Sequence, residues 1–204
     1  MMTSLATIFT IGHSTLPLEQ FLGLLKSAGI TAVADVRSSP YSRFTPQFNR
    51  ESLQASLRDA GIAYAFLGGE LGGRPKQRSF YCEGVADYEK MATATEFEDG
   101  LQRVLTGVQR HRIALMCSEQ DPLDCHRCLL VGRQLARRGL TVEHILPDGQ
   151  LRQHQQIEGD LLAQANLNEQ DLFASADERL ATAYRQRAMK VAYSDNERAA
   201  PAAE

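Results

Sequence analysis

The sequence predicts an α/β fold: a mostly parallel sheet of about five strands with helices on both faces, followed by a C-terminal helical appendage. Short apolar runs rich in β-formers alternate with segments whose apolar residues recur at helical spacing. Helical segments end on Gly29, Gly61 and Gly139. Alternation of this kind implies parallel strands joined by crossover helices, and no internal repeat competes with it.

Each element is read in order. "ATIFTIGHS" is the first strand and "LEQFLGLLKSAGI" the first helix, with Leu18, Phe21, Leu22 and Leu25 along one stripe. "TAVADVR" is the second strand. The proline-containing loop "SSPYSRFTPQFNR" leads to a second helix carrying Leu53 and Leu57, and "IAYAFLG" is the third strand. A Gly-rich basic loop fills 68–83, and one helix is expected from about Asp87 to Gln109. "RIALMC" is the fourth strand, "CHRCLLVGRQLARRG" a helix and "LTVEHILPDG" the fifth strand. Residues 1–150 therefore form the α/β domain. Residues 151–193 read as helical appendage, and 194–204 as a disordered tail.

Composition narrows the function classes. The 204 residues are 43% hydrophobic and 23% charged, in the range of a globular chain, and the net charge of −3 argues against a chain-wide polybasic surface. The first residues lack the basic start of a signal peptide, and no run is apolar enough to span a membrane. Four cysteines are too few for a disulfide scaffold, so the expectation is a cytoplasmic protein with reduced thiols.

In an open α/β sheet, ligands bind beyond the carboxyl ends of the strands. Those ends deliver His13 and Ser14, then Asp35 and Arg37, then Gly72, Gly73 and Arg74. The fourth strand delivers Cys117 and Glu119, and the next turn Cys125, His126 and Arg127. Asp35 and Arg37, two apart on a strand, project to one side, as do Cys117 and Glu119 if extension continues. Arg37, Arg43, Arg74 and Arg127 make an anion cradle, the last at a helix N-terminus that itself favours an anion.

Three readings fit "CSEQDPLDCHRC". Cys117, Cys125 and His126 are zinc-type ligands, with His13 as the fourth, although the spacing departs from paired C-x2-C units. Alternatively Cys125, beside histidine and arginine at a helix start, is a reactive thiol, with Cys117 as a second. Arginine six residues after the nucleophile, as in cysteine phosphatases, is missing: Leu123 and Val131 stand there. The third reading is that the cysteines are small core residues, which suits Cys128 best.

"TIGHS", "VADVRSSPYSRFTPQF", "YAFLGGELGGR" and "ALMCSEQDPLDCHR" resemble, in this order, the motifs of the DUF488 family over about residues 8–149. The resemblance implies an α/β domain of unknown function. It places His13, Asp35, Arg37, Arg43, Arg74, Cys117, Glu119, Cys125, His126 and Arg127 at family motif positions and implies no reaction.

Two functional expectations follow. The first is an enzyme acting on an anionic small molecule or nucleotide, with His13, Asp35, Cys117, Glu119, Cys125 and His126 as catalytic candidates. Ser14, Arg37, Arg43, Gly72, Gly73, Arg74 and Arg127 would bind substrate. The second is a nucleic-acid-associated or zinc- or iron-binding module linked to DNA metabolism. "EQDLF", Glu169 to Phe173, resembles a degenerate sliding-clamp peptide, against which stands simple packing of Leu172 and Phe173. The sequence assigns no cofactor and no oligomeric state.

Overall fold

The computed structural model describes residues 6–168 and 173–195. Its centre is a six-stranded sheet in the order β3-β2-β6-β1-β7-β8. The strands are β1 (Thr7–Gly12), β2 (Ala32–Asp35), β3 (Ala63–Phe66), β6 (Ile113–Cys117), β7 (Thr141–Ile145) and β8 (Leu151–Gln153). Every pairing is parallel except β7 with β8, an antiparallel edge strand beyond the five expected. A small antiparallel hairpin, β4 (Tyr81–Cys82) with β5 (Val85–Ala86), lies apart from the sheet.

Strand residues divide between two cores by their period of two. Phe9, Ile11, Val33, Ala114 and Met116 bury one face under α1 (Leu18–Ser27) and α2 (Arg50–Asp59), which contribute Phe21, Leu25, Leu53 and Leu57. Ile8, Ala34, Leu115 and Cys117 line the other face with Phe97, Leu101, Leu130 and Leu135. That second face is covered by α3 (Gly68–Leu71), α5 (Thr95–Gly107), α6 (Arg133–Arg137), α7 (His154–Gln164) and α8 (Ala176–Val191).

The single helix expected from Asp87 to Gln109 is two. Asp87 caps α4 (Tyr88–Met91) by accepting the Glu89 and Lys90 N–H groups at 3.0 and 3.2 Å, and α5 starts only at Thr95. The helix after the Cys-His-Arg turn opens with a π-helical stretch, Arg127–Gly132, before α6. Such wider turns recur at functional sites.

The appendage does not stand off from the sheet. Ala86 N–H donates to the Tyr193 carbonyl at 2.9 Å, Ser194 bridges to Val85, and Asp195 N–H donates to the Gly84 carbonyl at 2.9 Å. Ser194 and Asp195, the first residues of the expected tail, are thus tied to the hairpin. The remainder of that tail and Glu169 to Leu172 of the clamp-like peptide lie outside the described residues, while Phe173 is 96% exposed. No helix among the described residues is long and apolar enough to cross a membrane.

Candidate functional site

The carboxyl ends of β1, β2 and β6 are neighbours at the centre of the sheet. From β1 the chain goes to β2 on one side, whereas from β6 it goes to β7 on the other. The crevice at such a reversal is where open α/β sheets bind ligands. Pairing continues past the strand ends: His13 N–H donates to the Cys117 carbonyl at 2.9 Å, Ser14 N–H to Ser118 at 2.8 Å and Val36 N–H to Met116 at 3.1 Å. The loops that carry the side chains are therefore held in register.

The expected constellation separates into two groups on opposite faces of the sheet edge. His13 and Asp35 follow Ile11 and Val33 in the period of two, so they fall on the α1–α2 face. There Arg37 clamps Asp35 through Nε at 2.9 Å and Nη2 at 2.7 Å, and Nη2 also donates to the Phe48 carbonyl at 2.9 Å. Tyr64 Oη–H donates to the same carboxylate at 2.8 Å. His13 Nδ1–H donates to the Ser14 carbonyl at 2.8 Å, which fixes the tautomer, so Nε2 accepts from Arg37 Nη1 at 3.1 Å. Among the described residues, four of the five guanidinium N–H groups have partners and one Nη1 N–H is uncommitted. Burial, reinforced by the Arg37 charge, lowers the His13 pKa to about 4, and the ring stacks on Phe48 at 4.2 Å. His13 is a neutral acceptor that orients Arg37.

On the opposite face stand Cys117, Glu119, Cys125 and His126, whose sulfur, oxygen and ring-nitrogen atoms lie within 4.8 Å of one another. His126 Nε2–H donates to the Val36 carbonyl at 2.9 Å, which leaves Nδ1 facing Cys117 Sγ at 3.7 Å and Cys125 Sγ at 3.9 Å. Cys125 Sγ meets Glu119 Oε2 at 3.0 Å and accepts the Arg127 N–H at 3.4 Å.

Burial alone would raise the Cys125 pKa. The Cys117 thiol donating to it, with the Arg127 and His126 charges, outweighs burial and holds it well below the ordinary thiol value. Cys117 moves the other way, raised by burial and by the Cys125 charge. Glu119 is raised by burial and by the same charge, whereas His126 is raised by Cys125 against the effect of its own burial. The group thus sets a Cys125 thiol of depressed pKa among Cys117, Glu119 and His126, whose pKa values are all raised.

Two glycines make this packing possible. A Cβ on Gly12 would sit 1.8 Å from the Glu119 carbonyl oxygen, and one on Gly73 would sit 2.8 Å from His126 Nδ1. Arg127 differs from its expected role. It is 1% exposed and donates to the Glu119 and Gln120 carbonyls at 2.6 and 2.8 Å, bracing the loop. Buried and outside the wall of the cavity over this group, the guanidinium does not face the substrate space.

A cavity of about 380 Å³ opens over the second group. Cys117, Glu119 and His126 line it together with Arg37, Gly73 and Arg74. Cys125 lies beneath, 1% exposed. His13, Ser14, Asp35, Gly72 and Arg127 are outside its wall, and Arg43 is on the surface over the Phe44 ring at 4.6 Å.

Sequence reasoning missed Ser38, Tyr88, Lys190 and Tyr193 in that wall. Ser38 Oγ accepts the Arg74 N–H at 2.9 Å, and the Arg74 guanidinium covers the Tyr193 ring at 4.9 Å. Lys190 and Tyr193 carry no signal in sequence, because only the docking of α8 brings them here. The zinc-type set is corrected as well: Glu119 stands where His13 was expected, since alternation along β1 turns His13 to the other face.

His144 and His154, given no role from sequence, form a buried chain with Thr10, Tyr184 and Glu158. Its contacts are 2.8 Å from Thr10 Oγ1 to His144 Nδ1, 3.0 Å between the rings, 2.9 Å from His154 Nε2 to Tyr184 Oη and 2.9 Å from Tyr184 to Glu158. Cys128 packs beside it in the core, and Cys82 is exposed.

Comparison with protein-family models matches residues 17–133, more than half of the chain, to a domain of unknown function, DUF488. No curated protein and no solved structure matches the chain.

Proposed function

The chain belongs to the DUF488 family, which supplies no reaction, and from the site we propose that it is an enzyme acting on a small anionic molecule or nucleotide. The observation that carries this is the cavity of about 380 Å³, with cations at its mouth and sulfur, imidazole and carboxylate in its wall. A concave site with a few convergent polar groups suits a small ligand. Arg74, Lys190 and the uncommitted N–H of Arg37 bind the anionic group. The reacting end of the substrate lies against Cys117, Glu119 and His126, with Cys125 behind them. His13 and Asp35 are positioning residues that hold Arg37.

Nucleic-acid binding draws on Arg43, Lys76 and Arg78, none of which lines this cavity. The described cysteines are free thiols, which fits a reducing, cytoplasmic setting.

Calorimetric titration with pyrophosphate at low salt tests the anion site. Arg74→Ala is expected to weaken binding about tenfold, since a hydrogen bond to a charged group is worth ~1.5 kcal/mol. No saturable binding of pyrophosphate, or binding indifferent to both Arg74→Ala and Lys190→Ala, sinks the proposal.

A further inference from the structure

In the wall of this cavity and just beneath it, four side chains offer ligand atoms that lie within 4.8 Å of one another. We propose that Cys117, Glu119, Cys125 and His126 together hold one tetrahedral divalent ion, zinc by ligand type. The inference rests on the reading of these residues as the reacting wall and names the cofactor held there.

Spacing supports it first. Zinc bonds of ordinary length to sulfur, nitrogen and oxygen put neighbouring ligand atoms about 3.6 Å apart in a tetrahedron. The separations here are 3.7 Å and 3.9 Å from the two sulfurs to His126 Nδ1 and 3.0 Å from Cys125 Sγ to Glu119 Oε2. All three lie within roughly 0.6 Å of that spacing, and the four ligand atoms all fall within 4.8 Å of one another.

The surroundings support it independently. A histidine ligand commonly donates its other ring N–H to a carbonyl, which fixes tautomer and ring orientation. His126 does so to Val36 at 2.9 Å. The Arg127 N–H at Cys125 Sγ and its guanidinium on the Glu119 and Gln120 carbonyls steady the loop on which two of the ligands stand. Two thiolates and a carboxylate around a divalent ion leave one net negative charge, and the buried Arg127 guanidinium lies beside it.

The other sulfur–imidazole group among the described residues lacks these features. Cys128, His144 and His154 also fall within 4.8 Å of one another. There, however, every ring nitrogen already has an oxygen or nitrogen partner at 2.8–3.0 Å. Metal binding would have to break that chain, whereas His126 Nδ1 has only the two sulfurs before it.

On binding, four metal–ligand bonds form, any proton on the two thiols, the Glu119 carboxyl or His126 Nδ1 passes to solvent, and no electron is transferred. Cys117, Glu119 and His126 reach the cavity wall, so the ion borders the substrate space; four protein ligands leave a tetrahedral ion no open position, and its part is to fix these side chains where the substrate lies.

The test is the metal content of the untagged full chain, with cobalt(II) uptake by the chelator-treated protein as its second arm. Close to one zinc per chain is expected, with cobalt giving the visible bands of a tetrahedral site and a cobalt–thiolate charge-transfer band. Cys117→Ser and Cys125→Ser should each lose most of the metal. Arg74→Ala should keep it while losing pyrophosphate affinity. A wild-type chain that contains no stoichiometric zinc and takes up cobalt without thiolate bands overturns the metal site. If that chain still binds pyrophosphate, the anion site stands without the ion. If it binds zinc and no anion, the converse holds.

Discussion

At the scale of single residues, Asp35 supports more than its own charge. It is fully buried and receives the Arg37 backbone N–H, the Nε and Nη2 N–H groups of the Arg37 guanidinium and the Tyr64 hydroxyl. Asp35→Asn removes the only anion in that arrangement and leaves a guanidinium 4% exposed without its counter-charge. Breaking one side of a buried pair costs about 3–5 kcal/mol. Urea unfolding is expected to show a loss of that order; a loss under ~1 kcal/mol, the scale of a surface pair, would mean Arg37 finds another partner. The pairing of Asp35 with Arg37 was legible, because residues two apart on a strand share a side. Their separation from Cys117 was not. It depends on which face of the sheet each strand's odd positions meet, and that is set by neighbouring strands rather than by local sequence.

At the scale of elements, α8 reaches from the buried histidine chain to the cavity. Tyr184 sits in its middle against His154 and Glu158, and the residues after its last turn form part of the cavity wall. The helix itself was legible as part of the helical appendage, and a Ser175–Glu178 capping box starts it. Its destination was not, since no period or motif ties residues 190–193 to a strand end far earlier in the chain. Tyr193→Ala removes the ring under Arg74 while the backbone bond from Ala86 to residue 193 can persist. The expected result is a three- to tenfold loss of pyrophosphate affinity, from a cation–π contact worth ~1 kcal/mol, with unfolding stability nearly unchanged. Equal losses in both would make the tyrosine a packing residue only. The break between α4 and α5 also escaped the sequence reading, because the apolar stripe runs through Ala92 and Ala94 with neither proline nor glycine to mark the stop.

For the whole molecule, buried neutral histidines couple stability to pH. Burial, with the nearby Arg133 charge, lowers the His154 pKa to about 4, and burial with the His154 ring lowers His144 well below its usual value. In the unfolded chain these rings take up protons near pH 6.5. Below that pH the unfolded state therefore binds more protons, and folding stability falls as pH drops from about 6.5 toward about 4. Each such histidine contributes up to ~1.4 kcal/mol per pH unit. His154→Gln should make the slope of unfolding free energy against pH shallower by up to that amount across this window. An unchanged slope would show that His154 protonates equally in both states.

The position of β6 between β1 and β2 has a consequence for how the protein is made. β1 and β2 are not neighbours: β2 pairs with β3 soon after it, whereas β1 waits for β6, which is synthesised only from residue 113. Until then β1 has no neighbour on either side, because β7 is later still. The emerging half-chain thus presents apolar strand edges for the time taken to synthesise more than half of the protein, when unpaired edges invite association. Insertion of β6 then joins the two halves of the sheet and, in the same event, brings Cys117 and Glu119 against the loops of β1 and β2. Closure of the sheet and the start of the site are thus one step in the life of the nascent chain, and the docking of α8, which brings Lys190 and Tyr193, completes the wall.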